Sequence, residues 1–158
     1  MHPSLLFICA LNTCRSPVGH AVFNYIKEQT DLALQVESAG IWACDGQPCD
    51  ATMQTIAAKR GYDLSEHRSN SLTALNPADY NRVLIFEHAH FEPVQHWMGG
   101  QNKPEYIMAY SKYFGDREVL MQGDGDTTQI YTHILDLIED GCLGLYKQLL
   151  AERENNEL

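Results

Sequence analysis

Leu5-Leu6-Phe7-Ile8-Cys9-Ala10-Leu11-Asn12-Thr13-Cys14-Arg15-Ser16-Pro17 is the stretch around which this 158-residue chain is organised. Leu5 to Ile8 is a continuous apolar run, the pattern of a strand buried on both faces of a parallel sheet. The run stops at Cys9, crosses a short loop and enters a helix near Pro17, whose missing N–H costs nothing because the first helical turn leaves such groups unpaired. Cys9 therefore falls at the carboxyl edge of a strand and the amino end of a helix. That is where an open α/β sheet receives anions.

Residue types make the position reactive. Successive backbone N–H groups in such a loop form a concave nest, and the helix dipole adds partial positive charge at the same point. Ala10, Leu11, Asn12, Thr13, Cys14, Arg15 and Ser16 would line a bowl of phosphate size, with Arg15 offering a planar fork of donors to two oxygens. The same field favours thiolate over thiol, so Cys9 is expected to be a nucleophile with a lowered pKa and Ser16 to donate a hydrogen bond to its sulfur. A buried structural cysteine at a strand end is the plain alternative. The apolar strand before it, Asn12 inside the loop and Ser-Pro opening an amphipathic helix argue against that.

The chain length suits one domain spanning residues 1–158. A net charge of -10 and a pI near 5.0 argue against nucleic acid or an anionic membrane as a partner. A bound phosphate must then be held by a local positive site inside a negative overall field. No apolar run approaches a membrane span, and Met1-His2-Pro3-Ser4 lacks the basic start of a secretory signal, so a cytoplasmic protein is expected. Five cysteines, an odd number with no pair of C-x2-C motifs, fit a reducing compartment and no structural zinc. No metal or cofactor is expected.

Periodicity places a first helix over about Pro17 to Glu28, with Val18, Ala21, Val22, Tyr25 and Ile26 on one face. A second strand over Leu34 to Ser38 follows, so strand, helix and strand form a right-handed parallel crossover. The loop from Gly40 to Pro48 leaves the same sheet edge as Cys9, which makes Trp42 a candidate wall for a substrate ring. Asp50 is suited to cap a helix ending near Gly61. A third strand is expected over Arg82 to Phe86, then a helical segment from His88 to Met98 with Pro93 in its first turn. His88, His90 and His96 do not share one helical face, so they read as exposed residues and not as metal ligands. A short fourth strand belongs somewhere in Tyr106 to Phe114. The last helix should run from about Thr127 to Ala151, leaving Glu152 to Leu158 as a frayed polar tail.

Cys9 to Pro17 closely resembles the phosphate-binding loop of the low-molecular-weight protein tyrosine phosphatases, down to its second cysteine. The resemblance continues through Val36-Glu37-Ser38-Ala39-Gly40, Asp63-Leu64-Ser65-Glu66-His67-Arg68 and Leu137-Ile138-Glu139-Asp140. It implies a three-layer αβα fold with a four-stranded parallel sheet of the flavodoxin-like, phosphotyrosine protein phosphatase I-like type. It also implies hydrolysis of a phosphotyrosine or small aryl phosphate monoester through a phosphocysteine on Cys9. Ser38 and His67 would belong to a polar network holding Asn12. Trp42 stands where the family carries a specificity element.

The resemblance breaks where the family carries its general acid, an Asp-Pro-Tyr segment before the last helix. Here that segment reads Val119-Leu120-Met121-Gln122-Gly123-Asp124-Gly125-Asp126, and the acid's position falls on Gln122 or Met121. Asp126 has the spacing of a capping box with Gln129, a sufficient structural reason for it. Asp124, between two glycines, has none and is the candidate acid. A calcium loop from Asp124 is excluded because its twelfth position is Leu135. An arsenate reductase is an alternative, but Phe86 to Met98 contains no resolving cysteine. A phosphate- or phosphoprotein-binding module with weakened catalysis is another. Cys14 is suited to a protective disulfide with Cys9. Cys44, Cys49 and Cys142 have no inferable partner.

Overall fold

The apolar run at the start of the chain is β1 (Ser4–Cys9), and it lies at the centre of the molecule with all six residues buried. The computed structural model describes residues 3–100 and 102–157. β2 (Gln35–Gly40) and β3 (Arg82–Ile85) flank β1, and β4 (Glu105–Tyr106) pairs outside β3, giving a fully parallel sheet in the order β2-β1-β3-β4. The order reverses at β1, so the carboxyl end of that strand opens into the crevice between connections running in opposite directions. Cys9 is its last residue.

Alternation along the strands sorts the core into two layers. Leu5 and Phe7 of β1 face α1 (Arg15–Gln29), α2 (Ala51–Ala58) and the long α4 (Thr127–Glu157), whereas Leu6 and Ile8 face Val94 and Trp97 of α3 (Phe91–Trp97) and the turns around Leu72. This is the three-layer αβα fold that the resemblance implies. Phe7 sits between Phe23 and Phe86, with ring centroids 5.8 and 6.2 Å away. Gly19 lets α1 press onto that ring, because a Cβ there would come within 2.6 Å of it.

Asp50 caps α2 through Met53 N–H at 3.0 Å, and Gly61 follows with φ +89°. Three expectations are corrected. The final helix does not fray after Ala151 but continues to Glu157, because Glu152 pairs with Arg82 and Arg153 reaches Asp31 at 3.3 Å. β4 is only two residues long and begins at Glu105, after which Ile107–Tyr110 turns as a 3-10 helix. Of the three histidines expected at the surface, His90 is buried, 2% exposed, because the 3-10 turn His88–His90 that precedes α3 folds it inward.

Candidate active site

Between β1 and α1 the chain makes a tight loop in which five carbonyl oxygens, those of residues 9, 10, 12, 13 and 14, are each held by a donor. Cys9 O accepts from Ile41 N–H at 3.0 Å, Ala10 O from Trp42 N–H at 2.9 Å and Thr13 O from Asp50 N–H at 2.7 Å. Asn12 O accepts from His67 Nε2 at 2.7 Å, and Cys14 O from Val18 N–H at 3.2 Å. A trans peptide points its N–H opposite its carbonyl, so fixing these oxygens turns the following N–H groups the other way. Among the described residues, no protein acceptor takes the N–H of residues 10–15. Those amides are donors that an anion of phosphate size can take up.

The loop keeps this shape through Asn12, the only non-glycine described residue at positive φ, +58°. Asparagine tolerates that left-handed conformation because its side chain can bond locally. Here its Nδ2 donates to Ser16 Oγ at 2.7 Å and its Oδ1 accepts from Asn70 N–H at 2.9 Å. His67 bonds to the Asn12 carbonyl, and Ser38 has no bond to this residue. It lies buried on β2 opposite Phe7 and makes no hydrogen bond to Asn12, the Asn70 backbone taking that role. Gly40 at the end of β2 touches the same turn, and a Cβ there would lie 2.8 Å from Asn12 N and Leu11 C.

Cys9 Sγ sits 2.9 Å from Ser16 Oγ and accepts from Ser16 N–H at 3.4 Å. Cys14 is the N-cap residue of α1, and burial, with Cys49 and Cys9 nearby, pushes its thiol well above the usual range. Burial also raises Cys49, to about 12. All five cysteines are free. Burial lowers His67 below its ordinary value, partly countered by its bond to Asn12 O.

Arg15 is 5% exposed. Its Nη1 donates to Glu87 Oε2 and to Val119 O, the latter at 2.8 Å, so one corner of the guanidinium is fixed by the protein. Its other nitrogens have no hydrogen-bond partner among the described residues. Two faces of the fork remain for an oxyanion. Sequence reasoning missed Glu87 and Val119. Glu87 had a signal: it lies two residues beyond β3, the strand next to β1, on the sheet edge that holds Cys9.

Trp42, tied to the Cys9 loop through its N–H on Ala10 O, is 58% exposed, and Leu11 and Leu120 are also exposed apolar residues. Asp126 and Gln129 close the expected capping box at 2.8 and 2.9 Å. Asp124 is exposed in a recess with Leu120, Gln122, Ile130 and His133, and no hydrogen bond ties it to the Cys9 loop. No group of His, Cys, Asp and Glu that could hold a metal ion occurs among the described residues.

An amide-lined bowl over a cysteine, with an arginine at its rim, on a sheet reversing order at that strand, defines a cysteine-dependent phosphatase fold. The profile of the family described as low molecular weight phosphotyrosine protein phosphatase matches residues 4–155, and the chain belongs to that family. It is a protein phosphatase. A putative low molecular weight protein-tyrosine-phosphatase of Synechocystis is 30% identical over 96% of this chain and 99% of its own. The protein-arginine-phosphatase of Bacillus subtilis is 27% identical over 94% of this chain and 98% of its own. Among solved structures, a YwlE arginine phosphatase mutant with a phosphorylated active-site serine aligns with a TM-score of 0.83 at 27% identity, covering 96% of this chain and 98% of that one. YfkJ from Bacillus subtilis shares the fold, with a TM-score of 0.84 at 22% identity over 96% of this chain and 97% of that one.

Proposed function

We propose that the chain hydrolyses phosphotyrosine or related aryl phosphate monoesters through a phosphocysteine on Cys9. The observation that carries this reading is the anchoring of five loop carbonyls, which turns the amides of residues 10, 11, 13, 14 and 15 away from those donors in the loop that joins Cys9 to Arg15. The amides and the guanidinium nitrogens of Arg15 that bond no protein group hold the three non-bridging phosphoryl oxygens in line with the sulfur. Sγ attacks phosphorus, the bond to the phenolic oxygen breaks, and an acid supplies the phenolate's proton. Water then attacks the phosphocysteine, giving its proton to the conjugate base and releasing orthophosphate and the thiolate. Ser16 Oγ stabilises the sulfur as it leaves.

Asp124 is our assignment for the acid. Asp126 is engaged in its capping box, and Glu118 accepts from His88 N–H at 2.5 Å, whereas Asp124 has no hydrogen-bond partner among the described residues. Trp42 gives the leaving ring a wall. The five free thiols support a reducing, cytoplasmic setting. No described helix is long and apolar enough to cross a membrane.

Phosphoarginine is a second reading. The name of the Bacillus relative, 27% identical over nearly the whole chain, supports it. An arsenate reductase has less support, since no cysteine lies between Phe86 and Met98.

The test compares wild type, Cys9→Ser and Asp124→Asn on aryl phosphates of graded leaving-group pKa and on peptides bearing phosphotyrosine or phosphoarginine. Turnover surviving in Cys9→Ser would refute the mechanism. Equal losses on good and poor leaving groups in Asp124→Asn would remove the acid assignment. Phosphate binding with no release from any substrate would make the chain a binding module.

A further inference from the structure

His90 is the one buried side chain among the described residues with an unpartnered polar atom, Nδ1. Its Nε2 lies 3.8 Å from Glu87 Oε2, the same oxygen that accepts from Arg15 Nη1. The Trp42 ring meets it edge-on, with centroids 6.3 Å apart. Arg15 belongs to α1, Glu87 and His90 to the connection after β3, and Trp42 to the loop after β2. His90 thus joins three separately folded walls of the crevice. The family's phosphate loop does not include it, and the reaction steps above do not use it.

We propose that His90 is a positioning residue for Arg15, acting through Glu87. This rests on the reading of Arg15 as the group that holds phosphate. A carboxylate facing Nε2 favours the tautomer with its proton there, since a lone pair would be repelled, and that leaves Nδ1 as the unpartnered acceptor. The Nε2–H dipole, 3.8 Å from Glu87 Oε2, then attracts that carboxylate electrostatically while Glu87 and Val119 O fix one corner of the guanidinium. An incoming dianion repels Glu87. A tethered carboxylate keeps Arg15 oriented, and an untethered one swings and takes the guanidinium with it.

The groups facing His90 are Arg15, Glu87, Glu118 and the Trp42 ring. Burial and the Arg15 cation hold the imidazole below its ordinary value, against the pull of the two carboxylates, so it is neutral at pH 7. Once protonated it offsets the Glu87 charge, and the bowl becomes more attractive to anions.

The experiment has two arms. In steady-state turnover of an aryl phosphate at pH 7, His90→Leu should raise KM by about tenfold, the worth of a polar contact to a charged group, with kcat within about twofold. His90→Gln, which keeps an amide donor toward Glu87, should restore most of that loss. In the Cys9→Ser background, sulfate is the probe because its charge is constant over the range. Its affinity should rise as pH is taken down below 6.5 with His90 present, and should rise less in His90→Gln. Parallel losses in kcat and KM, no recovery in His90→Gln, or the same pH dependence in both proteins would overturn the proposal. Arg15→Ala separates the two levels. If sulfate binding survives that change, the reading of Arg15 as the phosphate-holding group falls and this inference with it. If binding is lost in Arg15→Ala but indifferent to His90, only the inference falls.

Discussion

Gly144 of α4 lies so close to the carbonyl of Tyr110 that a Cβ placed on it would stand 1.7 Å from that oxygen. One turn earlier, Gly141 meets Ile107 O in the same way, at 2.8 Å. The pair lets the turn after β4 seat directly on the helix backbone. The chain leaving that turn is held again by Asp140, whose carboxylate accepts from the backbone N–H of Lys112, Tyr113 and Phe114, and it leads to Val119, whose carbonyl fixes Arg15. Gly144→Ala must push two backbones apart, where no rotamer change can help. We expect a loss above about 3 kcal/mol in urea unfolding, at the upper end of overpacking costs.

Asn12 separates conformational tolerance from hydrogen bonding. Asn12→Gly accepts φ +58° but loses the bonds to Ser16 and Asn70, whereas Asn12→Ala loses the bonds and must also hold a left-handed backbone. Both should lower stability, Asn12→Ala by about 1 kcal/mol more, the cost of the strained backbone. Both should reduce kcat, read with an activated aryl phosphate. Equal stability of the two variants would show that the strain is carried elsewhere.

His20 on α1 makes folding sensitive to acid. Burial, with His67 and Lys27 nearby, lowers its pKa from 6.5 to about 4. The folded state therefore refuses a proton that the unfolded chain accepts, so stability is intact above about pH 6.5 and declines as pH falls toward 4. The full loss is about 3 kcal/mol. Urea midpoints measured from pH 7 to 4.5 should fall less steeply in His20→Gln than in wild type.

Trp42 is exposed enough that Trp42→Ala should change thermal stability little. If its ring is the substrate wall, KM for phenyl phosphates should rise by about five- to tenfold while inhibition by orthophosphate stays constant, the lost contact being to the ring alone. A matched rise for both would place Trp42 in support of the loop.

Gln122 offers a gain-of-function check on the acid. Gln122→Asp puts a carboxyl at one of the two positions, with Met121, where the resemblance implies the family's acid; if that alignment holds, it should speed hydrolysis of poor leaving groups by at least about tenfold while leaving good ones nearly unchanged. An unchanged leaving-group dependence would mean that this loop does not reach over the bowl.

The Cys9 loop was legible because it is local. A buried strand, a nest and a helix start follow one another within thirteen residues, and each leaves its own pattern. β2 was readable for the same reason. What could not be read lies far apart in sequence. Glu87 reaches Arg15 across 72 positions and Val119 does so across 104, contacts that only the strand order creates. Ser38 was assigned to the Asn12 network through the family motif, yet the neighbouring loop brings Asn70 there first. The end of α4 was missed because its last turns are held by ion pairs with Arg82 and Asp31 and not by an apolar stripe. His90 looked exposed because a single 3-10 turn leaves no periodic trace.

The contact between Glu87 and Arg15 also bears on what happens after the chemistry is over. If Arg15 holds phosphate as proposed, a guanidinium already shared with a carboxylate grips a departing oxyanion less firmly than a lone one, so spent phosphate leaves the pocket more readily. The same acidic neighbour that weakens the hold on substrate thereby helps throughput when the surroundings are rich in product.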